Sequence, residues 1–176
     1  MPLFLITGIA GSGKSEVCKE LKERGYKAYD TDDDGLAKWH NNITGYVHPK
    51  SSVKKEDRTK AFLKIHSWKV PQLEVENLLK HSVGKPVFLC GVTGDEQKIR
   101  HMFNKVFALI IDDETLEHRL QIRTSNNWGK QPHELKQVMK WQHDSLDSYR
   151  ELGYILIDAN QPLNIVVDNI LEQARV

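Results

Sequence analysis

Gly8-Ile9-Ala10-Gly11-Ser12-Gly13-Lys14-Ser15 places glycines, a lysine and a hydroxyl at the spacing G-x-x-x-x-G-K-[ST]. These residue types suit a polyanion. Gly8, Gly11 and Gly13 let the backbone take positive φ angles and come close to a polyphosphate, so that successive amide N–H groups and a helix N-terminus face it. Lys14 has the reach to meet β- and γ-phosphate oxygens, and the Ser15 hydroxyl is a ligand for Mg²⁺, whose other positions go to phosphate and water. A nucleoside triphosphate with Mg²⁺ is the implied ligand. A chance glycine-rich turn is the alternative, and the flanking sequence argues against it. Leu3 to Thr7 is an unbroken apolar run of strand type, while Val17, Cys18 and Leu21 share one helical face.

A second group of chemistry-bearing residues follows at Asp30-Thr31-Asp32-Asp33-Asp34. Strand ends beside a phosphate loop are where open α/β sheets put their chemistry. Asp32 is the expected catalytic and substrate-binding carboxylate, able to take the proton of an accepting hydroxyl or to orient the waters of Mg²⁺. Capping of a short helix, Gly35 to His40, is the plainer role for Thr31 to Asp34. Arg58, on a lysine-rich stretch, is a candidate for holding an anionic acceptor, although such a stretch is commonly a solvated helical face. Trp39 and Trp68 are candidates for an aromatic pocket wall or for rim packing. Arg119 and Arg123, four residues apart, fall on one helix face and point towards triphosphate, with Lys130 beyond them.

The elements that must position these residues alternate strand and helix. After the loop, a first helix ends at Gly25 and Lys27 to Asp30 forms a second strand. Residues 41–53 read as loop and 53–69 as helix, followed by a helix from Pro71 to Gly84. Pro86 to Cys90 is a third strand, Thr93 to Glu96 caps a helix through Phe103, and Val106 to Ile111 is a fourth strand of the continuous apolar kind found in parallel sheets. Glu114 to Arg123 is helical and leads into a polar flap, Thr124 to Pro132, suited to closing over the nucleotide. Pro132 to Leu152 is a long helix and Tyr154 to Asp158 a fifth strand. The turn holding Asn160 and Pro162 lies where an adenine edge would be read, and an amphipathic helix closes the chain. The pattern predicts one α/β domain over residues 1–176, with an acceptor-side insertion at about 39–70 and a lid at about 124–132.

Composition narrows the function classes. The 176 residues carry 25 basic and 24 acidic side chains, a net charge of +1, which gives no general attraction to nucleic acid or anionic membranes. No apolar run is long enough to span a bilayer, and a cytoplasmic location is expected. Cys18 and Cys90 form no C-x-x-C pair and read as buried thiols. An ATP- or GTP-dependent switch would carry an acidic residue at the end of its third strand, where Cys90-Gly91 stands, and Asn104-Lys105-Val106-Phe107 does not make the guanine signature Asn-Lys-x-Asp. A nucleic-acid 5′-end kinase, the third reading, would lean on the lysines of residues 54–69.

Taken together, the Gly8–Ser15 loop, Asp30-Thr31-Asp32, the arginines before a flap and a last strand ending Ile157-Asp158-Ala159-Asn160 resemble the P-loop small-molecule and nucleotide kinases of the shikimate-kinase-like and adenylate-kinase-like families. That resemblance implies a three-layer fold with a five-stranded parallel sheet in the order 2-3-1-4-5, helices on both faces and a small lid. It implies that Asp32 contacts the accepting hydroxyl, as the second carboxylate of the shikimate-kinase Asp-Ser-Asp does. Arg123-Thr124 is similar to the pair that packs against adenine, and Lys130 to a flap residue meeting phosphate. Gly91-Val92-Thr93-Gly94 stands where shikimate kinases have three glycines. The opening is similar to that of dephospho-CoA kinase too, whose Pro-Leu-Leu-Phe-Glu signature has no counterpart after the third strand. The expected activity is transfer of the ATP γ-phosphate to a hydroxyl or phosphate of a small metabolite or nucleotide.

Overall fold

The computed structural model describes residues 2–49, 52–82, 84–124 and 129–176. Its centre is β1 (Leu3–Thr7), all five residues of which are buried. A strand buried on both faces needs parallel neighbours and helices above and below it. β1 pairs in parallel with β5 (Val87–Cys90) and β6 (Lys105–Ile110). Outside these lie β2 (Lys27–Asp30), beside β5, and β7 (Ile155–Asp158), beside β6. The order is β2-β5-β1-β6-β7, which is 2-3-1-4-5 when only these five strands are counted.

Strand alternation divides the core into two layers. Phe4, Ile6, Phe88, Cys90, Phe107, Leu109 and Ile157 face α1 (Lys14–Glu23) and α7 (Leu163–Ala174), which contribute Val17, Cys18, Leu21, Val166, Val167 and Ile170. The rings of Phe4 and Phe88 lie 5.1 Å apart, and those of Phe4 and Phe107 6.0 Å apart. Leu3, Leu5, Val87, Leu89, Val106 and Ala108 face the other way, onto Val75 of α3 (Gln72–Lys80), Ile99 of α4 (Glu96–Ile99) and Phe103. Each fully buried Leu or Phe contributes roughly 1.5–3 kcal/mol of transfer free energy. A third cluster joins Ile111 to Leu116 and Leu120 of α5 (Asp113–Ile122) and Val138 of α6 (Pro132–Glu151).

The sequence-based expectation for residues 35–69 is overturned. In place of a helix over 35–40, Lys38–Asn41 is a strand, β3. The helix expected over 53–69 is instead a 3₁₀ turn at Lys55–Asp57, a short α2 (Lys60–Ile65) and a strand, β4 (His66–Lys69). Thr59 explains the late helix start, since its side chain accepts the Phe62 N–H as an N-cap. β3 and β4 form their own antiparallel sheet, with Trp39 opposite Trp68 and their rings 5.3 Å apart, edge to face. A cross-strand aromatic pair of this kind stabilises a hairpin that helical periodicity hides. The helix expected to run through Phe103 after a cap at Thr93 to Glu96 is α4 from Glu96, which passes into a 3₁₀ turn at Arg100–Met102. No helix among the described residues is long and apolar enough to cross a membrane.

Candidate active site

The loop after β1 is shaped by its glycines. A Cβ at Gly8 would lie 2.6 Å from Ser12 Oγ and 2.9 Å from the Leu109 carbonyl oxygen, so any side chain there would push the loop off the sheet. Gly13, at φ 100°, is the N-cap of α1 and supplies no side-chain cap. The first-turn N–H groups of α1 are therefore left for an anion. Ser12 Oγ is buried and without a hydrogen-bond partner, an orphan polar atom of the kind a bound phosphate satisfies.

Lys14 folds back over the loop and donates to the Gly8 and Ile9 carbonyl oxygens at 2.8 and 2.7 Å. Burial pulls its ammonium down from 10.5 to about 8, against the opposing pull of Asp30 and Asp32. Arg123, the C-cap of α5, is close enough to repel the Lys14 charge. Burial also lowers the Arg123 guanidinium from its ordinary value. Arg119 spans the rim of the loop: Nη2 donates to the Ala159 carbonyl at 2.7 Å, and Nη1 to the Ser12 carbonyl at 3.4 Å. Three cationic side chains thus converge on the mouth of the anion nest.

Asn160 sits beside Arg119's acceptor. Its Oδ1 accepts the Asp112 N–H at 3.1 Å, while its own N–H and Nδ2 donate to Asp158 Oδ1. These donors hold the Asp158 carboxyl below the ordinary range, as the Thr115 N–H does for Asp112 at the start of α5. Pro162 is the N-cap of α7 and fixes where this turn ends. Residues 125–128 of the expected lid lie outside the described residues. Beyond them, Gly129 N–H donates to Glu134 at 3.0 Å and the Lys130 carbonyl accepts from Gln121 at 3.4 Å, which ties Gly129 to α6 and Lys130 to α5.

On the acceptor side, the carboxylate beside Ser15 is Asp30. Ser15 Oγ donates to Asp30 Oδ2 at 2.8 Å, and Asp30 Oδ1 accepts the N–H groups of Asp32 and Asp33 at 2.9 and 3.1 Å. Asp30 is 7% exposed. The sequence held the signal for it in the alternation of β2: Ala28 packs against the α1 layer, so Asp30, two residues on, points the same way and meets Ser15 on α1. Ser15 and Asp30 present two hard oxygen donors side by side, which fits Mg²⁺ completed by phosphate and water. Among the described residues, no group of three or more His, Cys, Asp or Glu has metal-binding geometry.

Asp32 is exposed, and its Oδ1 accepts the Trp68 indole N–H at 2.8 Å. Trp68 meets Trp39, and the Arg58 guanidinium lies over the Trp39 ring at 5.5 Å, with Nη2 reaching the Val53 carbonyl at 3.5 Å. The hairpin thus links Arg58 to Asp32 through two indoles, a non-local connection that no spacing in the sequence announces. The loop after β5 packs tightly here: a Cβ on Gly91 would overlap Thr31 Oγ1, and one on Gly94 would overlap the Trp68 carbonyl oxygen. The pattern Gly91-Val92-Thr93-Gly94 is what lets this loop lie against both the second strand's carboxyl end and the hairpin.

Comparisons with known proteins agree with this geometry. A family model described as AAA domain (AAA_18) matches residues 5–142. No curated protein matches by sequence. Among solved structures, shikimate kinase from Bacteroides thetaiotaomicron is similar with a TM-score of 0.61 at 14% identity, covering 99% of each chain. Shikimate kinase from Acinetobacter baumannii in complex with shikimate gives 0.60 at 16%, covering 98% of this chain and 92% of that one. A gluconokinase from Sinorhizobium meliloti 1021 gives 0.54 at 18%, covering 99% and 91%. At these identities the likeness is one of fold, and the fold is that of the P-loop kinases.

Proposed function

The chain belongs to the AAA domain family AAA_18, and on that premise we propose that it is an ATP-dependent phosphotransferase acting on a small metabolite or nucleotide. The observation that carries this reading is the pairing of two carboxylates with two neighbours. Asp30 stands on Ser15 at the phosphate loop, and Asp32, two residues later, stands on the acceptor hairpin. ATP would lie along Gly8–Ser15 with its base towards Arg119, Asn160 and Pro162. Ser15 and Asp30 would hold Mg²⁺, which neutralises charge on the β- and γ-phosphates when bound. Lys14 and Arg123, with Lys130 from the lid, meet the charge that spreads over the transferring group.

The acceptor oxygen forms its bond to the γ-phosphorus as the bond from that phosphorus to the bridging oxygen breaks. ADP leaves with the electron pair, and the hydroxyl proton passes to Asp32. Arg58 and the two indoles bound the acceptor. The fold likeness to shikimate kinases and a gluconokinase supports a hydroxylated small molecule as partner, and the net charge of +1 favours it over nucleic acid. ADP release from Mg·ATP, measured with pooled hydroxy acids, sugars, nucleosides, nucleotides and coenzyme precursors, tests the reading. Stimulation by one pool that is lost in Lys14→Ala and in Asp32→Asn is the expected result. ATP binding with no pool stimulating release, and an Asp32→Asn variant identical to the parent, would replace it with an ATP-dependent switch.

A further inference from the structure

We propose that Trp68 is a positioning residue: its indole N–H latches the β3–β4 hairpin onto Asp32 and fixes the orientation of that carboxylate for phosphoryl transfer. The proposal rests on the phosphotransferase reading. Asp32 sits on an exposed turn, where an unrestrained carboxylate rotates freely about χ1 and χ2. Two contacts limit that freedom, the first by fixing the backbone that carries the side chain and the second by holding the carboxylate itself. Its N–H is held by Asp30 Oδ1 at 2.9 Å and its Oδ1 by Trp68 Nε1 at 2.8 Å. Among the described residues its other oxygen, Oδ2, has no hydrogen-bond partner, which leaves it available to an accepting hydroxyl.

Trp68 is itself firmly held. It faces Trp39 across the hairpin, its carbonyl presses on Gly94, and the Val70 N–H just after β4 donates to the Thr93 carbonyl at 3.1 Å. Trp68 is nevertheless 37% exposed. An indole N–H that reaches water has no need of a protein acceptor to avoid a desolvation cost. Its bond to Asp32 is therefore dispensable for packing, and its consequence is geometric. Asp32 also acts on the charge of Lys14, so the carboxylate stands between the phosphate side and the hairpin. One hydrogen bond registers the acceptor-carrying hairpin against the phosphate loop.

The test uses Trp68→Phe, which keeps an aromatic ring against Trp39 and removes the donor, together with Asp32→Asn. In ¹H–¹⁵N spectra of the full chain, the Trp68 indole resonance is expected to shift in Asp32→Asn while that of Trp141, on the distant α6, stays put. In turnover with the stimulating acceptor pool, Trp68→Phe is expected to lower kcat about tenfold, the effect of one charge-assisted hydrogen bond at the transition state. KM for ATP is expected to stay within about twofold of the parent, so that the loss falls on kcat. An indole resonance indifferent to Asp32→Asn would overturn the latch, and so would a Trp68→Phe protein whose kcat matches the parent's or whose loss lies in KM for ATP, the mark of a merely structural role. Failure of the phosphotransferase reading shows separately, as a parent protein that no acceptor pool stimulates; the indole response then decides alone whether Trp68 holds Asp32.

Discussion

Asp30→Ala removes one acceptor from three donors: the Ser15 hydroxyl and the N–H groups of Asp32 and Asp33. A hydrogen bond to an ionised group is worth about 1.5–3 kcal/mol. Ser15, Asp32 and Asp33 are all exposed, so water recovers part of each bond and the lower bound, or less, applies. Three such bonds come to roughly 3–4 kcal/mol, and relief from holding a nearly buried carboxylate returns about 1 kcal/mol. The net loss is then roughly 2–3 kcal/mol, which in a chain of this length lowers Tm by about 5–10 °C. A second effect is functional, because the variant loses the carboxylate that would share Mg²⁺ with Ser15. Thermal unfolding followed by circular dichroism reads the first effect, and titration with a fluorescent ATP analogue with and without Mg²⁺ reads the second. Asp30→Asn keeps a carbonyl acceptor and should melt closer to the parent while still losing the Mg²⁺ response. An Asp30→Ala protein melting within about 2 °C of the parent, with its Mg²⁺ enhancement of nucleotide binding intact, would refute the reasoning.

Four further outcomes follow from the same geometry. Lys14 must be charged to meet phosphate, so nucleotide affinity is expected to be flat below pH 7.5 and to weaken by up to ~tenfold towards pH 9, a dependence that Lys14→Ala abolishes in binding titrations. In the unliganded protein the sign is opposite: the folded state binds fewer protons between about 8 and 10.5, so stability in urea rises with pH across that window and not below it. Gly91→Ala drives a Cβ into buried Thr31 and should cost roughly 3 kcal/mol or more, whereas Gly25→Ala meets nothing within 4 Å and should cost only about 1 kcal/mol of backbone strain; their urea midpoints make the comparison. Arg119→Ala unties the Ser12 and Ala159 carbonyls and should weaken ATP binding about tenfold by calorimetry, with Arg119→Lys failing to rescue because a point charge does not span both oxygens.

The parallel sheet was legible because its evidence is local. Leu3 to Thr7, Pro86 to Cys90 and Val106 to Ile111 are short apolar runs bounded by glycine and polar residues, and such runs mark doubly covered strands wherever they occur. The phosphate loop was legible for the same reason, its chemistry being written in eight consecutive residues. The hairpin was not. Lys38 pairs with Lys69 across thirty intervening residues, and the alternation in Lys38-Trp39-His40-Asn41 is too short to separate strand from helix. Asp30 lies between these cases. Its type and its strand were visible, yet choosing it over Asp32 as the neighbour of Ser15 required knowing which face of β2 meets α1. The bond from Trp68 to Asp32 needed both the hairpin and its seating against Gly94, and local pattern supplies neither.

Among the described residues the hairpin's strands do not pair with the five-stranded sheet, which is complete without them; β3 bridges only locally, to β4 and from His40 to Val47. A unit attached in this way is free to drift. On the phosphotransferase reading, substitutions among residues 38–69 would change which acceptor is bound while leaving the pairing of the central sheet untouched. The points of attachment resist such change. Gly91 and Gly94 admit no side chain: Gly91 is closed against Thr31, and a remodelled hairpin must still come to rest against Gly94.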